Sequence, residues 1–177
     1  MVFVATRYAS VAAEIEVLAG NEAAAEELLR PACELLSSLG ESAHLATRAA
    51  ELAQVLIALS KWDQADRWAR VAKEHSTPGD VGSQFSWRSA LAQVLAARGS
   101  FPEAEELASQ AVALAGKTDA LNQHAAALLA LARVLRLQGN PAHAEQLTAD
   151  AIHLFERKGN IAAADRAHQL LDPAATV

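Results

Sequence analysis

With 177 residues, a single cysteine and a net charge of −6, the chain has no route to an internal disulfide or a cysteine-rich metal site. It also lacks the basic stripe of a direct nucleic-acid binder. Alanine supplies 43 residues and hydrophobic residues make up 52%, but aromatics only 5%, so any core must be built from Ala, Leu and Val.

In chain order, the first predicted helix runs near residues 4–19 and stops at Gly20; the second runs near 22–38 and carries Ala25 and Ala32. The next pair lies near 42–59 and 61–75, broken at Ser60, with Ala53 and Leu56 in its first helix and Ala65 and Ala72 in its second. His75 stands in the slot held elsewhere by Leu35, Leu114 and Leu154, so it is expected to close its helix at a half-buried position. The stretch from His75 to Ser83 contains Pro78, Gly79 and Gly82 and reads either as an ordinary connection or as a flexible joint. The third pair lies near 83–98 and 101–115. Leu91, Val94 and Leu95 have helical spacing in its first member, as Leu107, Ala108, Ala111 and Leu114 do in its second. Ser100 and Glu103 have capping-box spacing, with Pro102 in the first turn. The fourth pair, near 119–138 and 141–157, breaks at Gly139, and Asn140-Pro141 signals the restart. Asn160 is expected to cap a ninth helix near 161–171 that covers the end of the stack, and Asp172 to Val177 reads as a frayed tail.

The four pairs share one register. Small residue, apolar residue, turn residue and two alanines recur as Ala13, Glu16, Gly20, Ala25, Ala32; Ala53, Leu56, Ser60, Ala65, Ala72; Ala92, Leu95, Gly99, Ala104, Ala111; and Ala132, Leu135, Gly139, Ala144, Ala151. The turn residues fall 40, 39 and 40 apart, the mark of stacked supersecondary units. Ala92 and Ala104 flank one turn and Ala132 and Ala144 another, so close helix approach is expected there. Glu16 occupies the apolar slot of the first unit, where the pattern is weakest.

Leu91-Ala92, Gly99, Glu103-Ala104 and Ala111, and again Leu131-Ala132, Gly139, Ala144 and Ala151, resemble the tetratricopeptide repeat family. The resemblance covers roughly residues 6–171. It implies an all-α fold: a right-handed α-solenoid of four TPR-like hairpins plus a C-terminal capping helix, forming a single domain over 1–177 with units near 4–38, 42–75, 83–115 and 119–157. The period is longer than usual for the family. Alanine replaces the common glycine at Ala53, Ala92 and Ala132, and leucine the common tyrosine at Leu56, Leu95 and Leu135. The longer unit, with Trp87 to Ala92, Arg98-Gly99 through Glu105, Thr118-Asp119 and Lys158 to Asn160, looks like C-terminal repeat regions of large bacterial regulators, including nucleotide cyclases and LuxR-type ATP-binding regulators. That likeness implies a regulatory role within a longer chain, yet no phosphate-binding glycine loop, cyclase carboxylate pair or helix-turn-helix is present.

The functional expectation is non-catalytic binding of a protein or peptide. In the family, one face of each first helix lines the concave side, which here implies a ladder of Glu14, Gln54, Gln93 and Arg133. Val17, Ile57, Ala96 and Arg136 lie one turn away. Such a groove is acidic at one end and basic at the other, and Arg133 with Arg136 could hold a carboxylate in two-point fashion; the same residues also read as an ordinary solvated face. A small-ligand sensor predicts a closed polar pocket instead, and a homodimer predicts an apolar patch near an end unit. The six histidines, His44, His75, His124, His143, His153 and His168, show no metal-ligand spacing, so no metal or cofactor is expected. Cys33 reads as an inert buried thiol. Trp62, Trp68 and Trp87 read as packing residues, with Trp87 the most exposed. No run approaches the ~18 apolar residues of a membrane span, and MVFVATRYAS is no signal peptide, so a soluble, cytoplasmic protein without membrane contact is expected. Residues 1–60 hold most of the negative charge, as a solvated face or as a docking surface for a basic partner.

Overall fold

The computed structural model describes residues 2–171, with side chains from residue 4 onward; the expected tail at 172–177 lies outside the described residues. It is all helix, 83%, with no strand among the described residues. The helices are α1 (Val2–Leu18), α2 (Glu22–Ser38), α3 (Ser42–Ala58), α4 (Trp62–His75), α5 (Val81–Ala97), α6 (Phe101–Ala115), α7 (Leu121–Gln138), α8 (Pro141–Lys158) and α9 (Ile161–Gln169). They pair as four hairpins, α1–α2, α3–α4, α5–α6 and α7–α8, each stacked on the next, and α9 packs on α8.

All twelve alanines of the register are buried, from Ala13 in α1 to Ala151 in α8. Ala92, Ala104, Ala132 and Ala144 belong to one apolar cluster at the centre of the last two hairpins. A methyl group there lets two helix backbones come close, and alanine loses no rotamer freedom on burial. Larger residues fill the spaces between hairpins: Leu29, Leu36, Leu45, Leu52, Leu56 and Ile57 are fully buried in the N-terminal cluster.

Each hairpin turn closes in the same way. The amides of Asn21, Lys61, Ser100 and Asn140 bond back to the carbonyls of Glu16, Leu56, Leu95 and Leu135, the 6→1 bond of a Schellman motif. That bond needs a left-handed residue just before it. Glycine supplies it at Gly20, Gly99 and Gly139; Ser60 adopts φ +57° in the equivalent place. No atom crowds those glycines, so conformation rather than space selects them. The apolar slot of the first unit, Glu16, serves the turn differently, by accepting a hydrogen bond from the Asn21 side chain at 3.0 Å.

Two local expectations change and one left open is decided. Ser100 makes no side-chain cap; its backbone carbonyl instead holds the Ala104 amide at 3.1 Å, and the side-chain caps that do form are Asp80, Asn140 and Asn160. The link from α4 to α5 is pinned, because Gln84 donates to the Ser76 hydroxyl and the Thr77 carbonyl, each at 3.0 Å, and Asp80 caps Ser83. Trp87 is buried between two cations, with Lys73 5.2 Å and Arg88 4.2 Å from its ring, while Trp62 is the half-exposed member of the three. The indole of Trp87 packs into the core because α5 is the central helix, walled by α3, α4, α6 and α7.

Ser60→Gly should stabilise the fold by about 1 kcal/mol, since a left-handed backbone costs an L-residue about that much; a thermal melt that rises by a few degrees checks it. Ala104→Leu and Ala144→Leu should each cost about 1–3 kcal/mol by overpacking. Ala142→Leu, at an exposed site one residue into α8, should leave the melting temperature unchanged.

Candidate functional site: the inner face of the stack

Helices α1, α3, α5 and α7 present one face each to a common hollow, and α9 forms its far wall. The hollow has a volume of about 1000 Å³. Glu14, Gln54, Gln93, Arg133 and Arg136 all line it, so the stacking brings together five residues spread over 123 positions of sequence (14 to 136). Of the second row, Val17 and Ile57 also reach it.

The centre of the ladder is a hydrogen-bonded step. The Gln93 amide donates to Gln54 Oε1 at 2.9 Å and to the Ser89 carbonyl at 3.0 Å. Gln93 is buried, so these bonds satisfy an amide that would otherwise be costly to desolvate. Beside it, Glu51 pairs with Arg48 at 3.1 Å but keeps its second oxygen screened from solvent and without a partner. Burial pushes the Glu51 carboxyl above the usual carboxylate range, against the opposing pull of Arg48 and a hydrogen bond with Ser10. The Ser89 hydroxyl and the Asn122 carbonyl oxygen are likewise screened and unpartnered; Asn122 lines the hollow, and Ser89 lines a smaller cavity that overlaps it at Gln54, Gln93 and Arg133.

The basic side has two different arginines. Arg133 is half-buried, stacks 5.5 Å from the Trp62 ring centre and makes no ion pair among the described residues; burial lowers its pKa, which marks a desolvated cation. Arg136 donates to the Leu170 carbonyl at 3.1 Å, tying α7 to the end of α9. Arg136 is therefore also part of the scaffold, which the expectation of a free carboxylate-binding pair did not include.

The hollow is closed where the two ends of the stack meet. Arg166 of α9 bonds Glu22 at 2.6 Å and the Val17 carbonyl at the end of α1. Leu18 packs against the apolar cluster shared by α7, α8 and α9. Glu51 and Ser89 lie one helical turn from Gln54 and Gln93, so helix periodicity could have found them. Arg166 and Glu22 are 144 residues apart, and nothing local pairs them.

His75 ends α4 half-buried, with its ring 3.0 Å from the Ser42 hydroxyl, and no group of three His, Cys, Asp or Glu gathers among the described residues. Cys33 is fully buried and its thiol is pushed up to about 12, chiefly by burial with Glu51 adding to it.

Because the thiolate is the reactive form, Cys33 should resist a thiol reagent in the native protein and react stoichiometrically once the chain is unfolded; a disulfide-exchange assay with and without denaturant checks this. The Arg166 hydrogen bond holds Glu22 below its ordinary value of 4.5. A depressed folded value means that the pair stabilises the closure above the unfolded pKa and that this is lost as pH falls through the folded one. The protection of α9 amides from exchange, relative to the unfolded chain at the same pH, should fall as Glu22 becomes protonated in acid, and Glu22→Gln should show that lower protection already at neutral pH.

Residues 83–157 match the family model described as tetratricopeptide repeat. No curated protein matches the sequence. Among solved structures, BtubC (BKLC) from P. vanneervenii is similar at 19% identity and a TM-score of 0.57, over 87% of this chain and 64% of BtubC. A kinesin light chain candidate of Podosopora anserina with nearly identical TPR-like repeats is similar at 22% identity and a TM-score of 0.56, over 85% of this chain and 75% of that one. This chain thus spans under two thirds of the length of BtubC. At these identities the likeness is one of fold, and with the match at 83–157 it identifies the architecture as a tetratricopeptide-like helical repeat.

Proposed function

We propose that the chain is a non-catalytic interaction module that takes a segment of a partner protein, ending in or carrying a carboxylate, into the hollow lined by Glu14, Gln54, Gln93, Arg133 and Arg136. Tetratricopeptide repeats generally mediate protein–protein contact, which sets the class of activity. One observation supports this site: among the residues that line the hollow, Glu51 and Asn122 each carry a screened oxygen without a partner, and Arg133 is a desolvated cation with no ion pair among the described residues. An unmet buried polar group costs about 1–3 kcal/mol, so a peptide whose amides and carboxylate fill those positions recovers that free energy on binding. Arg133 would grip the carboxylate, with Trp62 holding its guanidinium flat. Arg136 would add charge while still anchoring α9. The reading places the module in the cytoplasm, as the regulatory repeat domain, 1–177, of a larger bacterial multidomain regulator.

The meeting of α1 and α9 favours a second reading, in which the closed hollow takes a small ligand and reports it to an attached enzyme or DNA-binding domain. Its volume suits such a ligand.

A peptide array with free C-terminal carboxylates tests the first reading. Wild-type protein should retain a subset of peptides, Arg133→Ala should weaken them at least about tenfold, and amidating the same peptides should do likewise. Equal binding by Arg133→Ala, with its fold intact by circular dichroism, would remove the hollow as the site. Equal binding of amidated peptides would keep the hollow but remove the carboxylate. A hollow that binds small anions but no peptide would establish the second reading.

A further inference from the structure

Helix α1 has a second apolar face that the stack does not use. Its inner face packs through Thr6 and Ala13, both buried. On the opposite side, Val4, Tyr8, Val11 and Ile15 are 58%, 72%, 50% and 61% exposed. These four are the largest group of exposed large hydrophobic side chains on any one helix among the described residues. Their spacing, 4-3-4, is that of the seam of a two-helix coiled pair, not of scattered surface residues. A helix that is apolar on both sides is ordinarily covered on both sides.

We propose that this face of α1 binds the same face of a second copy of the chain, as an antiparallel helix pair about a two-fold axis. Two features select a second copy over another partner. The spacing is palindromic: reversing the helix sets Val4 over Ile15 and Tyr8 over Val11, as an isologous contact requires. The charges are also self-complementary. Arg7 and Glu14 lie seven residues apart on one flank of the stripe, and neither has an ion-pair partner among the described residues. In the antiparallel pair, Arg7 of each copy runs beside Glu14 of the other, offset by two residues, or about 3 Å along the axis, within the reach of both side chains. A parallel pair would set this flank against the opposite one, which carries Ala5 and Ala12, and would leave Arg7 and Glu14 without a counter-charge. The apolar stripe lies at the outer end of the stack, away from the hollow, so Tyr8 and Val11 test the contact without touching the hollow, whereas Glu14 on the flank also lines it.

Sedimentation equilibrium of the purified chain, from low micromolar to its solubility limit, tests this. Wild type should show a monomer–dimer equilibrium. Tyr8→Glu combined with Val11→Glu should abolish the dimer, with circular dichroism and melting temperature showing that the hairpins persist. Arg7→Glu and Glu14→Arg should each raise the dissociation constant about tenfold, and the double charge reversal should restore it. A wild type that stays monomeric throughout, or a dimer indifferent to Tyr8 and Val11, would overturn the proposal and point to a preceding segment or a different face. A double reversal no better than either single change would overturn the antiparallel pairing.

Discussion

At Ala92 and Ala104, and again at Ala132 and Ala144, two helices meet at residues no larger than a methyl group. The close approach that this allows determines the geometry of everything else. Because helices within a hairpin come near each other, the larger Leu, Ile and Trp side chains are displaced to the seams between hairpins, where they hold each unit on the next. A stack of this kind is a sum of nearest-neighbour contacts, so its long-range shape depends on small, repeated angles. Substituting bulk at one alanine would alter the angle at that point and carry the error along the stack.

That accumulated shape decides whether there is a site at all. Helices α1, α3, α5 and α7 each contribute only a few polar residues to the inner face. Together they form a wall with carboxylates towards one end and guanidinium groups towards the other. The stack curves enough that α9 reaches α1, where Arg166 meets the Val17 carbonyl and Glu22 at the start of α2. A groove thereby becomes a hollow, and the dielectric inside it falls. Burial on this face desolvates Arg133 and raises the carboxyl of Glu51. The fold thus holds two unlike charges in a state that neither would adopt on an open helix surface.

The two faces of α1 show the same logic from outside. Its inner side is one more unit of the stack and its outer side is an end face. Repeat folds bury their apolar surface only against a neighbouring unit, so an end helix must either be polar outside or be covered. At the other end, the short α9 carries Asn160 as its cap and exposes Asp165, His168 and Gln169, with Ile161 its one exposed large apolar side chain before Leu170. Along α1 the outer side remains apolar, which is why the two ends of this chain are not equivalent.

The sequence by itself determined the helices and their pairing. Alanine at fixed intervals, glycine or serine at the turns and Asn-Pro starts are local signals read within a few residues, and α1 to α9 fall where those signals stand. It also placed Glu14, Gln54, Gln93, Arg133 and Arg136 on one face, because a repeat carries equivalent positions to equivalent places. Only the tertiary structure decided the curvature, and with it the closure by Arg166, the orphaned atoms of Glu51, Ser89 and Asn122, and the scaffold role of Arg136. It also decided which tryptophan is buried, since Trp87 lies on the helix that four others enclose. The physical reason is separation: a turn depends on neighbours a few residues away, whereas Arg166 and Glu22 meet only after the seven inter-helix angles from α2 to α9 have accumulated.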